Sequence, residues 1–413
     1  MPQASSNSQK DMPHLKKEII NFDTEIDRTE VQTLKFDGEM LESIFGEKDL
    51  WPSWVADMDF KSSRHIQDAL TRRVEHGIYG YESGTEALPK AVSAWYGKRH
   101  GWLLNPDHII FSPRTLASIA ALITLFSEKD EGIIVQPPVF YDFKMIISAN
   151  GRRLVKNPLR IEHGIYQMDF DHLESVAADP KNRLLILCNP HNPISRVWPK
   201  QDLSKLSDIC AANNVYVIAD EIHGDITYQR NYIPLASISN ESSQNCATCI
   251  SPVKSFNLAG VANSMIVIDD EEKRSLCKSW FSRLEINKNN VFTTAAMLSA
   301  YTNGESWLDQ VIEYLDENID TLRKFLQLKI PSVKLMEPEG TYLLWLDFRD
   351  LGLDVKQLEA FLVQQAGIAS NPGHWFGREG AGFARINIAC RRRIIVEALE
   401  KLEKAVNRLA GSE

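Results

Sequence analysis

The stretch Leu184-Leu-Ile-Leu-Cys188-Asn-Pro-His-Asn192-Pro193 is a short apolar run that ends in a polar turn. A second run of the same kind, Val215-Tyr-Val-Ile-Ala219, leads into Asp220-Glu-Ile-His223, and residues 203–212 between them have the pattern of a helix. A strand, a helix and another strand in this order predict a βαβ unit with parallel strands. We therefore predict an α/β fold built on a largely parallel, buried sheet.

The alternation of strands and helices continues along most of the chain. Further strands are predicted at 109–111, 132–135, 153–155, 247–250 and 264–268, and helices at 116–126 and up to about 149. The C-terminal part looks like a smaller α/β unit, with strands at 341–346 and 384–388 and helices at 355–365 and 391–409. A long helical segment at 306–328 is expected to link the two units.

A third polar turn carries a lysine. The stretch Ser251-Pro-Val-Lys254-Ser-Phe-Asn257 follows the apolar run Ala247-Thr-Cys-Ile250. In an open α/β sheet the carboxyl ends of the strands line the ligand crevice, so Asn192, Asp220 and Lys254 are expected to face one pocket. A single lysine at a strand end is usually a solvated surface charge. An amide, a carboxylate and an amine together are what pyridoxal phosphate requires of a protein.

The chemistry of that cofactor assigns a part to each side chain. The Lys254 amine can bond covalently to the aldehyde and hand it to an amino acid. Asp220 can keep the ring nitrogen protonated, so that the ring accepts electrons from a substrate carbanion. Asn192 can donate a hydrogen bond to the ring 3-oxygen, and Ser251 can bind the phosphate.

Composition and charge limit the classes of partner. The chain has 413 residues, 44% of them hydrophobic and 24% charged, which is typical of a soluble globular protein. A net charge of −9 argues against nucleic acid or an anionic membrane as the main partner. There is no apolar run of about 18 residues, so we expect no membrane span.

The cysteines indicate a reducing compartment. Six of them are scattered along the chain, which favours free thiols and a cytoplasmic location. Cys246 and Cys249 form a C-x-x-C pair, but no second pair or histidine cluster accompanies it. We interpret the pair as strand residues and predict no metal site.

Three other features have both a structural and a functional interpretation. Ser112-Pro-Arg114-Thr115 before a helix is either an anion site or a simple N-cap. Phe140 at a strand end can stack on a cofactor ring or belong to the core. Arg385 lies in an apolar strand, so it needs a carboxylate partner, either from the protein or from an amino-acid substrate.

Five motifs together carry a resemblance to a known family. They are Trp54-Val-Ala-Asp-Met-Asp-Phe60, Tyr79-Gly-Tyr81, Cys188-Asn-Pro-His-Asn192-Pro193, Ala219-Asp-Glu-Ile-His223 and Phe383-Ala-Arg-Ile-Asn-Ile-Ala-Cys390. Over about residues 36–408 the chain resembles the fold-type I pyridoxal-phosphate enzymes of the class I/II aminotransferase superfamily. Within that superfamily it is most similar to the cystathionine β-lyase-type C–S lyases of the MalY/PatB kind.

The resemblance implies an architecture. It is a three-layer αβα large domain around a mostly parallel mixed sheet, together with a smaller C-terminal α/β domain. The expected divisions are a disordered tail 1–17, an N-terminal segment 18–60 that packs on the small domain and the active site, a large cofactor-binding domain 61–305 and a small domain 306–413. It also implies a homodimer with shared active sites, in which Tyr81 reaches the phosphate of the partner subunit.

The resemblance also implies a role for each site residue. Lys254 is the Schiff-base lysine and the general base. The expected cofactor contacts are Asp220, Asn192, His223, Ser251, Phe140, Tyr81 and the amides of Arg114 and Thr115. Arg385 is expected to clamp the substrate carboxylate, while the loop Val55, Ala56, Asp57 and the turn that contains Trp375 close over it.

The implied activity is an α,β-elimination from a cysteine S-conjugate or cystathionine, which yields a thiol, pyruvate and ammonia. Phe140 stands where the family usually has a tyrosine, and Val253, Ile194 and Ser195 also depart from the family pattern. These departures suggest a specialised substrate in secondary metabolism. The alternative is an aminotransferase or a decarboxylation-coupled deamination. A regulator without catalysis is disfavoured, because the N-terminus is too short and not basic enough for a DNA-binding module.

Overall fold

The computed structural model describes residues 19–82, 86–286 and 288–411, without the side chain of residue 410. The predicted tail 1–17 lies outside the described residues. The strands are β1 Trp51–Pro52, β2 Ile109–Ser112, β3 Gly132–Val135, β4 Arg153–Lys156, β5 Arg160–Glu162, β6 Ile165–Gln167, β7 Asn182–Cys188, β8 Tyr216–Asp220, β9 Cys246–Ile250, β10 Ser264–Ile268, β11 Lys334–Leu335, β12 Leu343–Asp347, β13 Ile368–Ala369, β14 Asn371–Pro372 and β15 Phe383–Asn387.

The helices alternate with these strands through most of the chain. They are α1 Gly38–Phe45, α2 Arg64–His76, α3 Ala87–His100, α4 Thr115–Phe126, α5 Asp142–Ala149, α6 Phe170–Ala177, α7 Lys200–Ala212, α8 Asn240–Gln244, α9 Glu271–Arg283, α10 Val291–Asn303, α11 Glu305–Lys329, α12 Val355–Ala360 and α13 Arg392–Ala410. Of the helices in the described ranges, none combines the length and the apolar character that crossing a membrane requires.

The larger sheet has seven strands in the order β2-β10-β9-β8-β7-β3-β4. The pairs from β9 to β4 are parallel, while β10 runs antiparallel to both of its neighbours. Alternate residues of β7 enter two different apolar layers: Leu184 packs with α4, α5 and α9, and Leu185 packs with α6 and α7. Helices on both faces explain the unbroken apolar runs in the sequence. The α/β fold with a mostly parallel mixed sheet is confirmed.

The smaller sheet is antiparallel throughout, in the order β11-β12-β15-β14. Helices α11 and α13 pack on it, with Leu322 and Leu399 in the shared core. The helix predicted at 355–365 divides into α12 and a π-helical turn, Phe361–Gln365. Apolar periodicity is continuous across this division, which explains why the sequence predicts one helix.

The segment before the large sheet lies against the smaller sheet. The Asn387 amide of β15 donates to the Ser53 carbonyl at 2.8 Å, and β1 pairs in parallel with β13 as a separate two-stranded sheet, in which the Ser53 amide and hydroxyl donate to the Ala369 carbonyl at 2.9 and 3.0 Å. The Asp59 amide donates to the Ala389 carbonyl at 2.8 Å. Residues 51–59 are therefore fixed on the small sheet just before the chain enters α2.

Candidate active site

The sheet brings the ends of three strands together. Asp220 is the last residue of β8 and pairs with Cys188 of β7 and Cys249 of β9. Asn192 follows β7 and Lys254 follows β9, so both side chains start from turns beside Asp220. Asn192 and Asp220 are buried, while Lys254 is half-buried. The amide, the carboxylate and the amine thus share one edge of the sheet, as parallel strands require.

Three side chains hold the turn that displays Lys254. The Ser251 hydroxyl donates to the Asn263 carbonyl at 2.9 Å, and the Ser255 hydroxyl donates to the buried Asp225 carboxylate at 2.7 Å. Asn257 adopts a left-handed backbone with φ of 56°. Its side chain accepts from the Met58 amide at 3.0 Å and donates to the Met58 carbonyl at 2.9 Å. The lysine turn is therefore tied to the N-terminal segment.

The lysine amine points at a backbone carbonyl. Lys254 Nζ donates to the Ala56 oxygen at 2.7 Å, and the Tyr342 hydroxyl donates to the same oxygen at 2.9 Å. Asn387 Nδ2 donates to the Val55 and Asp57 oxygens at 2.7 and 2.6 Å. The small sheet thus fixes three successive carbonyls, and the middle one receives the amine.

Burial changes the acidity of the groups at this edge. It lowers the pKa of Lys254 to about 8, with a further decrease from the Arg385 charge. It raises the pKa of Asp220 to about 7, against the opposing effects of the Ile222 amide and Lys254. Burial also holds the pKa of His223 well below its usual value, so this imidazole is neutral. A neutral amine near pH 8 is a competent base.

The described residues fit pyridoxal phosphate. Asp220 Oδ1 and His223 Nδ1 are buried and have no hydrogen-bond partner among the described residues. A buried carboxylate with an unused oxygen requires a cationic N–H donor, which is what a protonated pyridine nitrogen provides. Lys254 supplies the amine, and Asn192 lies on the same edge.

The predicted phosphate contacts lie at the start of α4. Arg114 is the extended residue before this helix, its side chain is exposed, and Thr115 is the first helical residue. The Arg114 side chain makes no capping hydrogen bond to this helix, so the first amides and the dipole can receive an anion. Ser251 is buried, and its hydroxyl hydrogen is used by Asn263, so a phosphate would have to displace that bond.

Arg385 is a buried guanidinium with neutral partners. It donates to Asn192 Oδ1 at 2.9 Å, to the Trp54 carbonyl at 2.9 Å and to Asn371 Oδ1 at 2.6 Å. Among the described residues it has no carboxylate within ion-pair distance, and its Nε atom has no partner. Burial lowers its pKa to about 10. The structure thus offers no protein carboxylate for this charge, which favours the substrate interpretation.

Aromatic side chains line the arginine side of the site. Phe140 is half-buried and packs against Tyr141, with 5.2 Å between the ring centroids. Tyr141 contacts Trp375 at 5.9 Å and Phe376 at 5.4 Å. The Arg385 guanidinium lies 5.1 Å from the centroid of Phe376. Burial raises the pKa of Tyr141 and the Arg385 charge opposes that rise, so this phenol lies within electrostatic reach of the arginine.

The residues that meet at the site differ from the predicted set in two ways. Tyr81 is fully exposed and is not brought to the other residues within this chain. Conversely, two residues of the site were not predicted: Asn371, which accepts from Arg385, and Tyr342, which donates to the Ala56 carbonyl. Tyr342 follows Gly340-Thr341 at the start of an apolar strand, and nothing in that pattern distinguishes a site residue from a core residue.

Comparison with known proteins gives the class. The family model for aminotransferase class I and II matches residues 60–402. Cystathionine beta-lyase PatB of Bacillus subtilis is 37% identical, over 94% of this chain and 100% of the relative. Protein MalY of Escherichia coli is 31% identical, over 88% of this chain and 91% of the relative. Cystalysin from Treponema denticola, whose crystal structure contains pyridoxal 5'-phosphate, superposes with a TM-score of 0.89 and 32% identity, over 95% of this chain and 100% of that one.

The chain therefore belongs to the aminotransferase class I and II family, whose fold and cofactor its own geometry indicates. Within this family it lies in the branch of the MalY- and PatB-type carbon–sulfur lyases, which depend on pyridoxal phosphate. The family, the fold type and the cofactor predicted from the sequence are confirmed.

Proposed function

We propose that this enzyme cleaves cysteine S-conjugates, cystathionine among them, by α,β-elimination to a thiol, pyruvate and ammonia. The observation that carries the proposal is the buried Arg385, which has only neutral partners and lies in hydrogen-bond contact with Asn192 beside Asp220 and Lys254. A free amino acid offers the missing carboxylate together with an amino group. The names of the relatives as cystathionine β-lyases and C–S lyases support the same reaction.

Each residue of the site has its own role in this reaction. Arg385 binds the α-carboxylate through its planar fork and fixes the orientation of the amino acid. Lys254, whose pKa burial lowers to about 8, removes the α-proton in its neutral form. The Ala56 carbonyl accepts a hydrogen bond from the resulting ammonium. Pyridoxal phosphate would supply the electron sink for the carbanion, and Asp220 would hold its ring nitrogen. The β-sulfur then leaves as a thiolate.

The remaining cofactor contacts are proposed on the same basis. Asn192 and His223 would hold the ring together with Asp220, while Ser251 and the amides of Arg114 and Thr115 would receive the phosphate. Phe140 would stack on the ring. We further propose that the loop of Val55, Ala56 and Asp57 and the turn of Trp375 close over the bound amino acid. The contact of Trp375 with Tyr141, which packs against Phe376 beside the Arg385 guanidinium, supports this closure.

We propose a homodimer in which Tyr81 completes the partner's phosphate site. The full exposure of this tyrosine, with Ile78 and Tyr79 also exposed beside it, supports the proposal, because such an apolar patch is typical of an interface. The proposed divisions of the chain remain 18–60, 61–305 and 306–413. A cytoplasmic location is supported by six cysteines that are all free and buried.

A direct test incubates the purified protein with pyridoxal phosphate and several cysteine conjugates, and follows pyruvate, ammonia and free thiol together. We expect the three products in equal amounts without an added keto acid. Amino transfer that depends on a keto acid, with no pyruvate formed from the conjugates, would instead establish an aminotransferase. The Lys254→Ala variant serves as the control for uncatalysed release.

A further inference from the structure

A cavity lies behind the aromatic wall that flanks Arg385. Its volume is about 280 Å³, close to the lower limit of roughly 300 Å³ for small-molecule pockets. It is enclosed by α1, by α12 with its π-helical turn, and by the turn at 373–376. The apolar part of its lining includes Ile44, Phe45, Leu358, Leu362, Val363 and Trp375. Lys356, Glu359 and His374 also border it, and His374 Nε2 lies 3.5 Å from a carboxylate oxygen of Glu359.

The wall of this cavity is shared with the candidate active site. Trp375 stacks on Phe45 on the cavity side, with 6.5 Å between the ring centroids. On its other side it meets the ring of Tyr141 edge-on at 5.9 Å, and Tyr141 packs against the Phe376 ring under the Arg385 guanidinium. A layer of aromatic rings therefore separates the cavity from the carboxylate clamp.

A second contact links the two regions. Phe45 also packs edge-on against Trp54 at 5.9 Å, and the Trp54 carbonyl is one of the three acceptors of Arg385. Phe45 thus reaches the clamp through Trp54 alone, whereas Trp375 reaches it through Tyr141 and then Phe376. Trp375 is half-buried and lies between Phe45 and Tyr141 in this layer of rings.

We propose that this cavity receives the apolar group carried on the sulfur of the substrate, with the Trp375 indole as a movable partition. The inference rests on the proposed lyase function and narrows its substrate class. With the α-carboxylate on Arg385 and the amino group toward Lys254, the group on sulfur must occupy the remaining side of the site. The cavity favours an aryl or branched alkyl group. The distal ammonium and carboxylate of cystathionine would give up part of their hydration among these apolar side chains, although Lys356 and Glu359 stand at the border of the cavity.

The proposal predicts an order of substrates. The kcat/KM for S-benzyl-L-cysteine is expected to exceed that for S-methyl-L-cysteine by roughly ten- to a hundredfold, the value of burying a phenyl-sized group. L-cystathionine is expected to be poorer than S-benzyl-L-cysteine. Pyruvate release measures all three. A preference for cystathionine, or equal rates for the benzyl and methyl conjugates, would overturn the inference while leaving the lyase function intact.

A matched pair of tryptophan substitutions tests the cavity itself. Val363 lines the cavity and is half-buried, so Val363→Trp fills the space, whereas Gln365→Trp lies on the same π-helical turn, is exposed and does not border the cavity. We expect Val363→Trp to lower kcat/KM for the benzyl conjugate at least tenfold and to leave the methyl conjugate unchanged. Gln365→Trp should leave both unchanged.

Two further outcomes keep the test decisive. Ile44→Trp fills the cavity from α1 and must give the same selective loss, which guards against a folding defect in Val363→Trp. Equal effects of the filling and control variants, or parallel losses for both conjugates, would overturn the inference. Failure of the wild-type protein to release pyruvate from any conjugate would overturn the proposed function instead.

Discussion

Replacing Arg385 by methionine separates the cost of burying this charge from its use in binding. Burial lowers the pKa of Arg385 from 12.5 to about 10, so the folded protein disfavours the charged form by about 3 kcal/mol, at about 1.4 kcal/mol for each pKa unit. Because the folded value lies below the unfolded one, this cost is present at neutral pH and disappears only as the pH rises from about 10 toward 12.5.

Methionine removes that cost and also removes three hydrogen bonds to neutral oxygens. Each oxygen left without a donor costs about 1–3 kcal/mol when it stays dry, and less when water from the site reaches it. The two contributions oppose each other. We therefore expect the free energy of unfolding of the cofactor-free Arg385→Met protein to lie within about 2 kcal/mol of wild type, as measured by urea unfolding.

Catalysis should respond far more strongly than stability. Loss of the clamp on the α-carboxylate should cost about 2–5 kcal/mol of transition-state stabilisation, which lowers kcat/KM roughly 30- to 5,000-fold, chiefly by raising KM. Arg385→Lys keeps the charge but not the planar fork, so its kcat/KM should lie between those of wild type and Arg385→Met. A loss of stability above about 3 kcal/mol, together with an unchanged KM, would refute the reasoning and make the arginine a structural residue.

The other predictions concern the amine, the ring carboxylate and the carbonyl between the sheets. Lys254→Ala should lose the visible absorption of the bound cofactor and all pyruvate release; normal turnover would end the assignment. Burial raises the pKa of Asp220 from 3.8 to about 7, so the folded apoprotein loses stability as the pH rises from about 4 to 7, by up to about 4 kcal/mol. The Asp220→Asn variant does not pay this cost, so its free energy of unfolding should rise relative to wild type by that amount as the pH is raised to 8. The affinity of the variant for pyridoxal phosphate should fall. A pH-independent difference would contradict this. Tyr342→Phe should lower kcat roughly two- to tenfold, the value of one hydrogen bond to the Ala56 carbonyl. Tyr301→Phe is the matched control, since that buried hydroxyl has no partner among the described residues, and equal losses in both variants would remove Tyr342 from the site.

Those parts of the fold that depend on short-range patterns were predictable from the sequence. The strands β7, β8 and β9 are uninterrupted apolar runs that end in polar turns, and parallel pairing forces their ends to one edge. Asn192, Asp220 and Lys254 followed from that rule alone. Cys246 and Cys249 both lie in β9 and are buried, as the interpretation of the C-x-x-C pair required.

Contacts made by backbone carbonyls were not predictable. The Ala56 oxygen meets Lys254 across 198 residues of sequence, and the Trp54 oxygen meets Arg385 across 331. Every residue has a carbonyl, so its use leaves no trace in side-chain patterns. The antiparallel order of the smaller sheet was missed for a related reason, because β11 and β14 are two-residue strands whose pairing depends on β12 and β15.

The same carbonyls explain how the smaller sheet can control the reacting amine. Asn387 of β15 holds the carbonyls on both sides of Ala56, and Tyr342, one residue before β12, holds the Ala56 carbonyl itself. The acceptor of Lys254 is therefore carried by the smaller sheet, while the lysine is carried by the larger one. Any shift of one sheet relative to the other changes the 2.7 Å contact directly. Since Arg385 also lies on β15, binding of the carboxylate and orientation of the base depend on the same strand.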